Sequence, residues 1–95
     1  MSMKEAYEQK LQAQLDEWSA DIDKLKAKVD GADADLQLEY YKQIEKLRSM
    51  KDAVADKLIE LKGASDDALE DLKAGIGSAW DSLGNSLNSF ASKFK

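Results

Sequence analysis

The sequence predicts an all-α protein, a long amphipathic helix folded back on a shorter C-terminal helix as a coiled-coil hairpin that is oligomeric. Three observations predict it. Leu25, Leu36, Leu47, Leu58, Leu69 and Trp80 stand eleven residues apart, and Leu61, Leu72, Leu83 and Phe94 repeat the interval. Eleven residues are about three helical turns, so a hendecad row of this kind stacks along one helix face. Proline is absent, there are five glycines in 95 residues, and 35% of the chain is charged, which is the composition of long helices. Apolar residues recur by threes and fours, with no alternating strand pattern anywhere.

The first helix is expected over about 3–62. Its seam reads Leu11, Leu15, Trp18, Ile22, Leu25, Val29, Leu36, Tyr40, Ile44, Leu47, Val54, Leu58 and Leu61, with Tyr7 ahead of it and Ala32 filling the gap before Leu36. Because the seam keeps its phase across Gly31, that glycine is read as a weak point inside one helix, costing about 1 kcal/mol against alanine. If Gly31 turned the chain instead, three helices of about thirty residues each would form a monomeric bundle. The turn itself is expected at 63–65. Gly63 follows Lys62 as a glycine in the left-handed conformation would, and Ser65 or Asp66 can cap a new helix. Asp67 and Glu70 have capping-box spacing, and the acids of this turn suit the positive end of a helix dipole.

The second helix is expected over about 66–94. Leu69, Leu72, Ile76, Trp80, Leu83, Leu87, Phe90 and Phe94 share its apolar face, and Ser, Asn and Asp fill the opposite one. This face is expected to pack on the first helix, with Gly75, Ala79 and Ser82 allowing close approach. Its alternative use is weak membrane-surface contact, because bulky apolar residues opposite a nearly uncharged face resemble segments that sense loosely packed lipid. A first helix of about sixty residues would be about 90 Å long. The shorter helix leaves its N-terminal half without a partner, so the geometry predicts a homo-oligomer closed by the seam.

Composition narrows the function classes. Histidine and cysteine are both absent, which removes the commonest general base, the thiolate metal sites and any disulfide. Gly75-Ile76-Gly77 lacks the third glycine of a dinucleotide loop, and Asp30, Asp33 and Asp35 miss the calcium-loop pattern around Gly31. No catalytic residue, cofactor or metal is therefore expected, and the protein is read as no enzyme. The net charge of −5 argues against nucleic acid, which needs clustered Lys and Arg. The acidic stretch Asp30–Glu39 is read as a solvated helix face. Met1 opens into a polar helix pattern with no apolar leader, so a cytoplasmic location is the default expectation.

Taken together, Leu38–Leu47, Ala64–Ala68 and Ala79–Leu83 make the chain resemble small uncharacterised bacterial coiled-coil proteins over most of its length. That resemblance implies a helical fold and brings no activity or site residue with it. The eleven-residue period also resembles exchangeable lipid-binding helices and desiccation-protective proteins, although Trp18, Trp80, Tyr7, Tyr40 and Tyr41 are unusual for the latter. The functional expectation is a single helical domain over 1–95, a structural or interaction protein that self-associates through its seam and presents a surface to an unidentified protein partner. The alternative is a peripheral membrane protein using about 74–94.

Overall fold

A computed structural model describes residues 2–94, the side chain of Phe94 excepted. Three long helices run up, down and up: α1 (Met3–Asp30), α2 (Ala34–Gly63) and α3 (Leu69–Ala91). A 3-10 turn, Asp66–Ala68, leads into α3, and a second one, Ser92–Phe94, follows it. The bundle measures 51 × 19 × 19 Å, in keeping with helices of 28, 30 and 23 residues at about 1.5 Å per residue. The all-α expectation therefore holds, as three helices.

The single helix expected over 3–62 is corrected by a turn at Gly31–Asp33. The physical reason lies in side chains downstream of the glycine. Gln37 donates its amide to the carbonyls of Val29 and Asp30, at 3.3 and 3.1 Å, satisfying acceptors that the end of α1 leaves open. Tyr41 donates its hydroxyl to the Asp30 carboxylate, which Lys26 also meets at 3.2 Å. Gly31 and Ala32 close the helix with tight bonds to the Lys28 and Val29 carbonyls. Asp33 and Asp35 then stand in the opening turn of α2, where the helix dipole favours acids. The acidic run read as a solvated face thus marks a helix start. Seam phase survives the turn because both helices must aim the same residue types at one core.

A second expectation fails at Gly63. It is the last residue of α2, and none of the described glycines has positive φ. The chain turns through Ala64 and Ser65, both extended. Neither the 3-10 turn nor α3 has a side-chain cap bond, so the Asp67–Glu70 capping box does not form. A side-chain N-cap does form at the start of α1: the Ser2 hydroxyl accepts from the Glu5 N–H at 3.1 Å and donates to the Glu5 carboxylate at 3.5 Å.

Burial shows what the eleven-residue interval was measuring. The buried rows are sevens: Leu15, Ile22 and Val29 in α1, Leu47, Val54 and Leu61 in α2, and Leu69, Ile76, Leu83 and Phe90 in α3. Alternating steps of three and four generate intervals of seven and of eleven alike, and rows of seven are what neighbouring helices bury along a left-handed seam. The hendecad row is divided among three helices, and one member, Leu36, is 46% exposed. The remaining seam residues are buried or half-buried, Trp18 and Tyr40 being the half-buried ones. They find partners inside one chain, so no half of a helix is left bare and the geometric ground for an oligomer disappears.

Two measurements check this architecture. Small-angle scattering from a dilute solution is expected to give a monomer mass and a radius of gyration near 15.4 Å, the Cα value; an extended rod of dimer mass would contradict the bundle. At the first turn, the Tyr41 hydroxyl, with Lys26 second, holds the Asp30 carboxyl below its ordinary 3.8, and Asp30 holds the Tyr41 phenol above its ordinary 10.0. A depressed acid stabilises the fold above its unfolded value and loses that effect as pH falls through the folded one. A raised phenol stabilises the fold below its unfolded value and loses that effect as pH rises. Tyr41→Phe is therefore expected to lower the melting temperature between pH 3.8 and 10.0, the two ordinary values, with the difference shrinking outside that window. Parallel melting curves at every pH would show that the contact is not formed.

Candidate interaction surface

The helices are joined in unequal ways. Among the described residues, and leaving aside Tyr40 and Phe90, every hydrogen bond and ion pair between helices joins α1 to α2. Lys62 Nζ donates to the Gln12 amide oxygen at 3.3 Å, and Arg48 meets Asp23 at 3.8 Å. Lys4, 8% exposed, pairs with Glu8 at 2.7 Å and reaches the Lys62 carbonyl at 3.5 Å. With Gln37 and Tyr41 at the opposite end, these bonds pin the hairpin along its whole length.

α3 is held by burial and by rings. Leu69, Ile76, Leu83, Leu87 and Phe90 are buried, while Leu72 and Trp80 are half-buried against the core. Those are the residues expected on the C-terminal apolar face; the side chain of Phe94, the last of them, lies outside the described residues. The backbone of α3 packs close to α2 and approaches α1 at few places. Between α3 and α1 stands a tilted pair of indoles, Trp18 and Trp80, with ring centroids 4.9 Å apart. Tyr40 meets Phe90 edge-on at 5.9 Å, and the Lys73 ammonium lies 5.5 Å from the Tyr7 ring centre. Shallow grooves of about 280, 210 and 250 Å³ run along the flanks of α3, two of them against α1 and one against α2.

The glycines of α3 separate packing from propensity. Gly75 was expected to let two helices approach, yet a Cβ there would meet only the end of Lys57, at 3.9 Å. A Cβ on Gly77 would meet nothing within 4 Å, and Ser82 is exposed. Gly84 is the position that packs: its Cβ would stand 3.3 Å from the Trp18 ring. Sequence reasoning missed this pairing because nothing local links residues 66 positions apart. Gly75 and Gly77 thus carry the helix penalty of glycine, about 1 kcal/mol each, with no packing gain in the closed bundle. The outer face adds Ser78, Ser82, Asn85 and Ser89, and between Ala74 and Ala91 Asp81 is the sole charge.

Among the described residues no cluster of three metal-ligating side chains occurs, and no helix is long and apolar enough to cross a membrane. The exposed large apolar residues Met3, Leu36, Leu38 and Ile59 are scattered over α1 and α2. Comparison with protein-family models, with curated proteins and with solved structures finds no match to this chain.

Substitution of the glycines separates the two roles. Gly84→Ala is expected to destabilise by about 1 kcal/mol and to change tryptophan fluorescence, because Trp18 is backed by Trp80 and has little room to yield. Gly77→Ala is expected to stabilise by up to about 1 kcal/mol. Thermal unfolding of both checks the signs, and equal signs would contradict the packing described.

Proposed function

We propose that this protein is a non-enzymatic interaction protein whose working element is α3, exchanged between its own α1–α2 hairpin and an external apolar surface. The observation that carries the reading is the unequal bonding: polar links pin α1 to α2, while α3 rests on apolar and ring contacts. Apolar contact is non-directional, so it transfers to any apolar surface of similar shape. Directed bonds such as Gln37 to the Val29 carbonyl do not transfer. The composition of α3 supports the same reading, since its Gly, Ser and Asn make its order depend on the surface it touches.

Self-association takes a specific form in this reading. The seam of α1 and α2 is occupied in the closed chain, so a second copy would enter by lending its α3 to a neighbouring hairpin. The two-residue connection at Ala64–Ser65 is where such an exchange would hinge.

Native-state hydrogen exchange tests the proposal. Amides of α3 are expected to exchange through an opening on the order of 1–2 kcal/mol less costly than that of α1 and α2. Equal protection in all three helices would refute it.

A further inference from the structure

We infer that the inner face of α3 is a latent binding surface for neutral, loosely packed lipid, reached when α3 leaves the intact α1–α2 hairpin about Ala64 and Ser65. The inference rests on the reading just given and adds the partner and the route.

The surface consists of Leu69, Ile76, Trp80, Leu83, Leu87 and Phe90, along a helix of 23 residues. At about 1.5 Å per residue it is about 35 Å long, ample for a helix lying in the plane of a bilayer interface. In the closed bundle these side chains are buried or half-buried, so the face is unavailable until the helix separates. Separation breaks the apolar contacts of α3, which lipid can replace, and its ring contacts Trp18–Trp80, Tyr40–Phe90 and Lys73–Tyr7, and leaves the hairpin bonds of Lys62, Arg48, Gln37 and Tyr41 in place.

The outer face decides the partner. A protein groove captures an amphipathic helix through apolar anchors at helical spacing, and charges flanking the stripe sharpen the choice of partner. From Ala74 to Ala91 this helix has Asp81 alone, its other charges, Glu70, Asp71 and Lys73, lying at its start, so few charges are left to select a protein partner. A lipid surface needs none. The same scarcity of cations removes attraction to anionic headgroups, leaving apolar insertion as the driving force. Insertion without charge is strongest where acyl chains are exposed, which is the state of a highly curved neutral bilayer. Trp80, an indole in mid-face, suits the water–lipid boundary.

The test uses the full chain in flotation with phosphatidylcholine vesicles, small sonicated and large extruded, each with and without phosphatidylserine. Binding is expected to be several-fold greater on the small vesicles and little changed by phosphatidylserine. The chain has no cysteine, so two linkages can be introduced cleanly. Lys46→Cys/Ser86→Cys, joined by a flexible bis-maleimide across the α2–α3 groove, is expected to abolish binding. Asp23→Cys/Arg48→Cys, joined in the same way across the α1–α2 ion pair, is expected to leave it unchanged. Both unlinked variants should bind as the parent does, with helicity confirmed by circular dichroism. If the first pair misfolds, Gln43→Cys/Ser89→Cys spans the same groove. Undiminished binding with α3 tethered would overturn the route, and binding to anionic vesicles alone would overturn the partner. No flotation at all, with α3 nonetheless the least protected helix in hydrogen exchange, would overturn this inference and leave the exchange proposal standing. Uniform protection with no flotation would overturn both.

Discussion

The pairing of α1 with α2 is the contact on which the bundle depends, and it is settled at a turn with no obligatory glycine. Gly31 has ordinary negative φ, and a Cβ there would sit 3.6 Å from the Lys28 carbonyl, a normal contact. What fixes the turn is that Gln37 and Tyr41, one turn apart on α2, reach back to the last residues of α1. An end of helix whose carbonyls are satisfied by the next helix stops in one place and sets the angle at which the chain returns. The buried row Leu15, Ile22 and Val29 of α1 and the row Leu47, Val54 and Leu61 of α2 then share one core, and Lys4 secures the far end by meeting Glu8 and the last turn of α2.

α3 depends on that hairpin more than the hairpin depends on α3. By itself α3 is a weak helix, because it carries three glycines and a Ser/Asn outer face. Its stability is therefore borrowed from burial of one face. The indole pair shows how the loan is arranged: Trp18 and Trp80 fill the wider gap between α1 and α3, and Gly84 makes room for Trp18. α1 and α2 carry charged residues throughout, matched in part by their own ion pairs, and need less from α3.

The helical class, the core residues and the second turn were legible in the sequence because each is a local or periodic signal. Ile22, Leu47, Leu61 and Leu83 announce their burial by spacing alone. The first turn was legible only in part. Asp33 and Asp35 are ordinary signals of a helix start, yet seam phase ran through them and outweighed them. The deciding bonds, from Gln37 and Tyr41, reach seven to eleven residues back, and they exist only once the chain has turned. The eleven-residue interval misled for a related reason. A three-and-four pattern contains sevens and elevens together, and only packing selects between them. At α3, the apolar face was legible and the idle glycines were not, since a glycine's neighbours are a property of the fold.

The closed bundle gains nothing by holding its third helix with poor helix formers, because alanine at Gly77 would fit without a contact to disturb. The penalty falls on the helix held mainly by apolar and ring contacts, and largely on its outer face, where substitution is least constrained by packing. Charges there would strengthen solubility and would also anchor that face in water. Their scarcity over 74–91 leaves most of the helix with two dissimilar faces, one apolar and one nearly uncharged, joined to a hairpin through two extended residues. Weak intrinsic helicity, transferable contacts and a neutral outer face each lower a different barrier to separation: the order lost, the bonds broken and the charge carried. Their coincidence on one helix, and their weakness in the pair that supports it, are the features on which the proposed role of α3 rests.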